Sequence, residues 1–403
     1  MSARADSSEA LHPSLLAISP VPPWPATDGL ALRVSRLLEE LCKRWSIVLV
    51  CPSGGQSAVA NGVPLAAEII VPRNSQWMFN PSQYDHEPLR KAVTEAIRVH
   101  RPGLALLWGS TEFLRGEIPE MPTMVTDRVD CSTLANWREL VHGGAQLTLR
   151  RRLSSLADAA GYEFRMRRAS GATVVVGETD AWVLRRIFRF RNVHVIPNGV
   201  DVPDAIEDSR SPQPTVMFTG VMSFRPNIVA VMHFAEAIWP AVHERVPDAV
   251  FQIVGRNPVP EIVALGSRAG IEVHANVESV QSFLARAWVA VAPMRTGAGI
   301  KNKILEAWSV GTPAVMTPIA SNGLTQSPAE LLLTAEGPEL TTLVVDLLTN
   351  AERRAKLGAL ARLTALRTFS WKGQAAAVNA VLQHVAARQD ATADSRRAKL
   401  VRP

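Results

Sequence analysis

The sequence predicts an α/β protein built from two doubly wound, Rossmann-like domains. Three observations lead there. A chain of 403 residues is too long for one ordinary core. Short apolar runs alternate with amphipathic segments along most of it, the pattern of parallel strands joined by helical crossovers. In the second half, glycine-bearing loops twice follow an apolar run and open a helix, at Gly220 and again at Gly297 and Gly299.

The first domain is expected over 12–200. Ser14–Ser19 reads as a buried strand, followed by a proline-rich stretch, Pro20–Pro25. After Asp28 and Gly29, apolar residues at Leu30, Val34, Leu37, Leu38 and Leu41 give the helical period, predicting a helix over Leu30–Arg44. Strands follow at Ile47–Cys51, Ala67–Val71, Leu104–Trp108 and Thr123–Thr126, with a helix over Pro88–His100 and a connection at Trp77–His86. Asp127 and Asp130 stand at the C-terminal end of the last of these strands, where ligand sites of open α/β sheets gather. Each could equally cap the next helix or pair with Arg128 or Arg138. Arginine-rich helices are predicted at Leu147–Leu156 and Ala157–Ser170, then a strand at Ala172–Val176. Thr179 and Asp180 are expected to cap a helix at Ala181–Phe188. After a strand at Val193–Ile196, Asn198-Gly199 reads as a tight turn with positive backbone angles.

A polar, proline-bearing linker is expected at 201–214, and the second domain at 215–370. Its strands are Thr215–Thr219, Ala249–Gly255, Ile271–His274, Trp288–Ala292, Pro313–Met316 and Leu331–Thr334, with a long helix to about Glu244 after the first. A final helix is predicted at 371–388 and a frayed tail at 389–403.

The most informative stretch is Pro293–Thr317. Its helix, expected to start near Ile300, offers unpaired N–H groups to an anion. Lys301 and Lys303 fall in the first turn, where a cation opposes the helix dipole unless an anion compensates. Lys303 and Glu306 are three apart and share one face. Glu306 interrupts an apolar segment, which is costly unless it is paired or faces a cleft. The plain alternative is a solvated basic face.

Composition narrows the classes. Hydrophobic content of 47% with 20% charged residues is that of a folded protein, and no apolar run reaches the roughly 18 residues of a membrane span. The polar start, unlike a secretory signal, makes a cytoplasmic location the expectation. Cys42, Cys51 and Cys131 fit neither a disulfide framework nor a zinc site, and no metal or cofactor is expected. Arginines cluster at Arg150–Arg152, Arg165–Arg168 and Arg185–Arg191. They could meet anionic lipid, as a peripheral contact at the inner membrane face, or be a solvated helix surface. Without interleaved aromatic platforms they make a poor case for nucleic acid.

G-x-G-I-K-x-K-x-L-E-A from Gly297, followed by G-T-P-A-V, resembles the nucleotide-sugar loop of the family 4 (group 1) glycosyltransferases of the GT-B fold. So do Ile196–Asp201, the G-x-M-x-x-R-P-N run from Gly220, and Phe369-Ser370-Trp371. The resemblance implies two Rossmann-like domains facing a central cleft, with the C-terminal helix returning to the N-terminal domain. It implies a donor held by the second domain, with Glu306 on the ribose and Arg225 and Lys303 on the diphosphate. Gly297, Ala298, Gly299 and Ile300 would approach through backbone N–H groups, Gly220 and Asn198 would line the donor cleft, and Val277 would lie near the base. Gly29 and Arg33 would face the acceptor, and Asp127 or Asp130 would orient or deprotonate its hydroxyl. Two positions depart from the pattern: Leu30 replaces a second glycine, and Ala298 stands where the first glutamate of an E-x7-E pair is usual.

The function implied is metal-independent, retaining transfer of a sugar from a nucleoside diphosphate sugar to a sugar, lipid-linked or small-molecule acceptor, in polysaccharide, glycolipid or other glycoconjugate synthesis. The rivals are a nucleotide-sugar epimerase on the same fold and a non-catalytic nucleotide-sugar-binding partner protein.

Overall fold

The computed structural model describes residues 12–72, 86–142, 148–205, 210–297 and 299–400. It contains two parallel sheets. The first comprises β1 (Ser14–Ile18), β2 (Ser46–Pro52), β3 (Ala67–Val71), β4 (Leu104–Trp108), β5 (Thr123–Val129), β6 (Ala172–Val175) and β7 (Val193–Val195), in the order β3-β2-β1-β4-β5-β6-β7. The second comprises β8 (Thr215–Val221), β9 (Val250–Arg256), β10 (Ile271–Ala275), β11 (Val289–Ala292), β12 (Ala314–Met316) and β13 (Leu333–Thr334), in the order β10-β9-β8-β11-β12-β13. Strands such as β4 and β11 are buried along their whole length because helices cover both faces, which is why they read as unbroken apolar runs. Each order reverses once, between β1 and β4 and between β8 and β11. Such a reversal leaves a crevice at the carboxyl ends of the two strands.

The chain divides into two compact units: Met1–Val129 with Arg168–Val174 and Ala375–Pro403, and Asp130–Arg167 with Val175–Gln374. This differs from a simple cut at residue 200. Polar contacts explain the difference: the Asp180 carboxylate accepts from the Cys131 N–H (2.8 Å) and from the Asn322 amide (2.6 Å), and Asn198 donates to Asn302 (2.7 Å).

Several local expectations are corrected. Asp180 is committed to those contacts, so the Glu178–Arg186 helix has Gly177 at its cap, without a side-chain bond. One helix, Leu149–Met166, replaces the two predicted there, with Thr148 accepting from Arg151 N. Gly199 is not among the positive-φ residues; it is required because a Cβ would lie 2.5 Å from Trp371 Cδ2. The predicted long helix runs as Arg225–His233, a π turn at Phe234–Ile238, and Trp239–Arg245, since Pro240 cannot donate to the preceding turn. The last helix continues past Arg388 to Leu400, where a frayed tail was expected. Most of the Trp77–His86 connection lies outside the described residues.

Candidate functional site

The crevice of the second unit lies where β8 and β11 end. From Gly220, near the end of β8, the chain passes into the Arg225–His233 helix, and beyond β11 it passes through Gly297 and Gly299 into the Asn302–Ser309 helix. Three groups converge between them. A Cβ on Gly220 would sit 2.6 Å from Asn227 Nδ2 and 3.3 Å from Lys303 Nζ, so only a bare backbone fits. Asn227 donates to the Val221 carbonyl (2.9 Å) and accepts from Lys303 Nζ (2.8 Å). The same ammonium lies 3.7 Å from the centroid of the Phe218 ring. Lys303 is thus fixed by an amide and an aromatic face beside a helix N-terminus.

The β11 loop is built differently from the expectation. Its helix begins at Asn302, and Lys301 is the cap residue, in extended backbone. Lys301 is 9% exposed and donates to the Gly299 carbonyl (3.0 Å), so it supports the loop instead of presenting a first-turn cation. Gly297 and Gly299 have φ of +94° and +67°, conformations that favour glycine. The loop is held from outside too: Arg138, on the Ser132–His142 helix, donates to the Gly297 carbonyl (2.8 Å). Asp130 packs on Gly299, where an added Cβ would be 3.4 Å from its Oδ2.

Burial sets the protonation of this cluster. It pulls Lys303 down to about 7, with Glu306 opposing the shift and Lys301 adding to it. It pulls Lys301 down to about 8, partly offset by Asp130 and Asp180. It raises Glu306, against the pull of Lys303. Near neutral pH, Lys303 is poised to gain a proton when an anion arrives. Among the described residues no group of three or more His, Cys, Asp or Glu is arranged to hold a metal ion.

The other expected residues fall as follows. Arg225 heads its helix and pairs through Nε with Glu139 (2.9 Å). Asn198 and Ile300 are buried, Ile300 against Gly323, and Val277 is half-buried just beyond β10. Ala298 lies outside the described residues. In the first unit, Gly29 opens the Gly29–Leu41 helix under an Asp28 cap that accepts from Leu30 and Ala31 (both 2.9 Å). Arg33 and Asp127, expected on the acceptor side, are both fully buried and paired with each other at 2.7 Å. Sequence reasoning weighed Arg128 and Arg138 as partners of Asp127 and missed Arg33, 94 positions away. It also missed Phe218, Asn227 and Glu139, and the contact of Arg138 with Gly297; of these, Asn227 stands inside the motif already read at Gly220.

Residues 213–350 match the family model described as Glycosyl transferases group 1. Comparison with curated protein sequences finds no match. Among solved structures, the chain is similar to sucrose-phosphate synthase from Thermosynechococcus elongatus, at TM-score 0.70 and 14% identity over 93% of this chain and 100% of that one. It is similar to WaaG, a glycosyltransferase involved in lipopolysaccharide biosynthesis, at TM-score 0.62 and 16% identity over 90% and 99% of the two chains. Anabaena HepE in complex with UDP superposes at TM-score 0.63 and 12% identity over 92% and 100%. The fold is therefore that of the GT-B glycosyltransferases.

Proposed function

We propose that this protein is a retaining, metal-independent glycosyltransferase that takes its sugar from a nucleoside diphosphate sugar bound at the ends of β8 and β11. The observation that carries the reading is Lys303, held by Asn227 and Phe218 at a helix N-terminus and brought to about 7 by burial. Similar structures of Anabaena HepE hold UDP, and UDP with glucose, which supports a donor of this class.

As the bond from the anomeric carbon to the phosphate oxygen breaks, negative charge gathers on the leaving diphosphate. Fixed donors at that place stabilise it. Lys303, protonated by the anion's approach, and Arg225 supply cations, while Glu306, three residues from Lys303 on the same helix, takes the ribose hydroxyls. Asp130 is the better candidate to orient an acceptor hydroxyl, since it packs on Gly299 whereas Asp127 is buried against Arg33. With Ala298 at the usual first-glutamate position, selection among donor sugars rests on other groups.

We further propose a glycoconjugate acceptor presented at the inner face of a membrane, to which the protein attaches peripherally from the cytoplasm. Trp137, Val141, Leu149 and Leu153 are exposed large apolar residues on two consecutive helices, next to exposed Arg150 and Arg151. That is a combination suited to an anionic lipid surface. No described helix is long and apolar enough to cross a membrane.

Lys303→Ala and Glu306→Ala are expected to cut transfer, followed as release of nucleoside diphosphate, by about a hundredfold, each with a near-native melting temperature. Near-normal rates in both would remove the site assignment. Isomerisation of the donor without any acceptor would turn the reading toward an epimerase.

A further inference from the structure

The Ser132–His142 helix places two adjacent charged residues on the two loops of the crevice. Arg138 donates to the Gly297 carbonyl (2.8 Å), and Glu139 Oε1 lies 2.9 Å from Arg225 Nε. We propose that Glu139 is an intramolecular competitor of the diphosphate: its carboxylate takes a place on Arg225 that a phosphate oxygen takes when the donor binds. The proposal rests on the reading of this crevice as a diphosphate site.

Chemistry and position both favour it. A carboxylate and a phosphate are equivalent partners for a guanidinium, each an acceptor-only anion forming charge-assisted bonds. Four carboxylates lie among the cations of the crevice: Asp130 and Asp180 near Lys301, Glu306 near Lys303, and Glu139 on Arg225. The other carboxylates are committed elsewhere. Asp180 is held by Cys131 and Asn322, Asp130 stands against Gly299 and pulls on Lys301, and Glu306 pulls on Lys303. Glu139 differs in being partnered with the residue assigned to the diphosphate, in a pair whose side chains are 21% and 23% exposed. Its hold is weak, because Glu139 Oε1 and Arg225 Nε, although 2.9 Å apart and both buried, do not meet in hydrogen-bond geometry. An incoming diphosphate therefore meets a cation already neutralised and a like charge beside it, and must move that charge to bind fully. Arg138 keeps its hold on Gly297 meanwhile, so the helix stays seated on one loop and releases the other. By linkage, whatever loosens Glu139 from Arg225 tightens donor binding, and donor binding loosens Glu139.

The test is the affinity for inorganic pyrophosphate, which is blind to the base, and for UDP. It is measured by calorimetry on the full chain for the wild type, Glu139→Gln, Arg225→Ala and the double variant. Glu139→Gln is expected to bind roughly two- to fivefold tighter, the effect of removing a weakly held ion pair. Arg225→Ala is expected to bind more weakly, and Glu139→Gln to add nothing in that background, which a merely structural role for Glu139 would not produce. Unchanged or weaker binding in Glu139→Gln, with Arg225→Ala still weakened, overturns the competitor and leaves the diphosphate site standing. Failure of every variant and the wild type to bind either ligand overturns both.

Discussion

In the proposed reading, Lys303 is the side chain prepared for an anion. Its ammonium has an amide acceptor at 2.8 Å and an aromatic face at 3.7 Å, and burial lowers its proton affinity to about 7. An arriving diphosphate favours the charged form and raises that value. Binding above pH 7.5, where the phosphates are already fully ionised, should therefore take up a proton at Lys303. Affinity should weaken as pH rises further, because the free protein must first be protonated. Calorimetry in two buffers of different ionisation enthalpy at pH 8 measures the uptake. The wild type should take up more protons than Lys303→Ala, and equal uptake would contradict the assignment. Lys303 and Glu306 were legible in the sequence because their spacing on one helix face is a local property. Phe218 and Asn227 were not placed, because contact across 76 positions from Asn227 to Lys303 depends on the pairing of β8 with β11.

Helix and strand together explain the buried ion pair of Arg33 and Asp127, two residues separately expected on the acceptor side. Arg33 lies on the inner face of the Gly29–Leu41 helix, and Asp127 lies near the end of β5, with their side chains wholly out of water. Removing one partner strands the other as an uncompensated buried charge, at a cost of about 3–5 kcal/mol. Arg33→Ala should thus lower the free energy of unfolding by that amount, read by urea denaturation, while pyrophosphate affinity of the folded protein is unchanged. Intact stability with loss of transfer would restore Arg33 to the acceptor side. The sequence predicted the helix and the strand with boundaries good to a few residues, since apolar period and turn residues are local signals. It misjudged Asp180 and Gly199 for a common reason. Asp180 is occupied by Cys131 and Asn322, and Gly199 is squeezed by Trp371, all of them distant in the chain.

Across the chain, two sheets with one order reversal each account for where the informative loops fall. The reversal between β8 and β11 brings Gly220 and the Gly297–Gly299 loop to one crevice, although more than seventy residues separate them. That much followed from the alternation of strands and helices. The grouping of Asp130–Arg167 with the second unit did not, because it rests on polar contacts between residues far apart in the chain, Arg138 with Gly297 and Glu139 with Arg225. A ligand that binds the folded form alone raises the melting temperature, so a screen over nucleoside diphosphates identifies the base that fits. The decisive step is then a crystal structure grown with that nucleotide. The diphosphate should lie at the ends of β8 and β11, within hydrogen-bonding distance of Lys303 Nζ and Arg225, with the ribose at Glu306 and Glu139 turned away from Arg225. A nucleotide bound elsewhere, with Lys303 still on Asn227 and the crevice closed by the protein's own atoms, would contradict it.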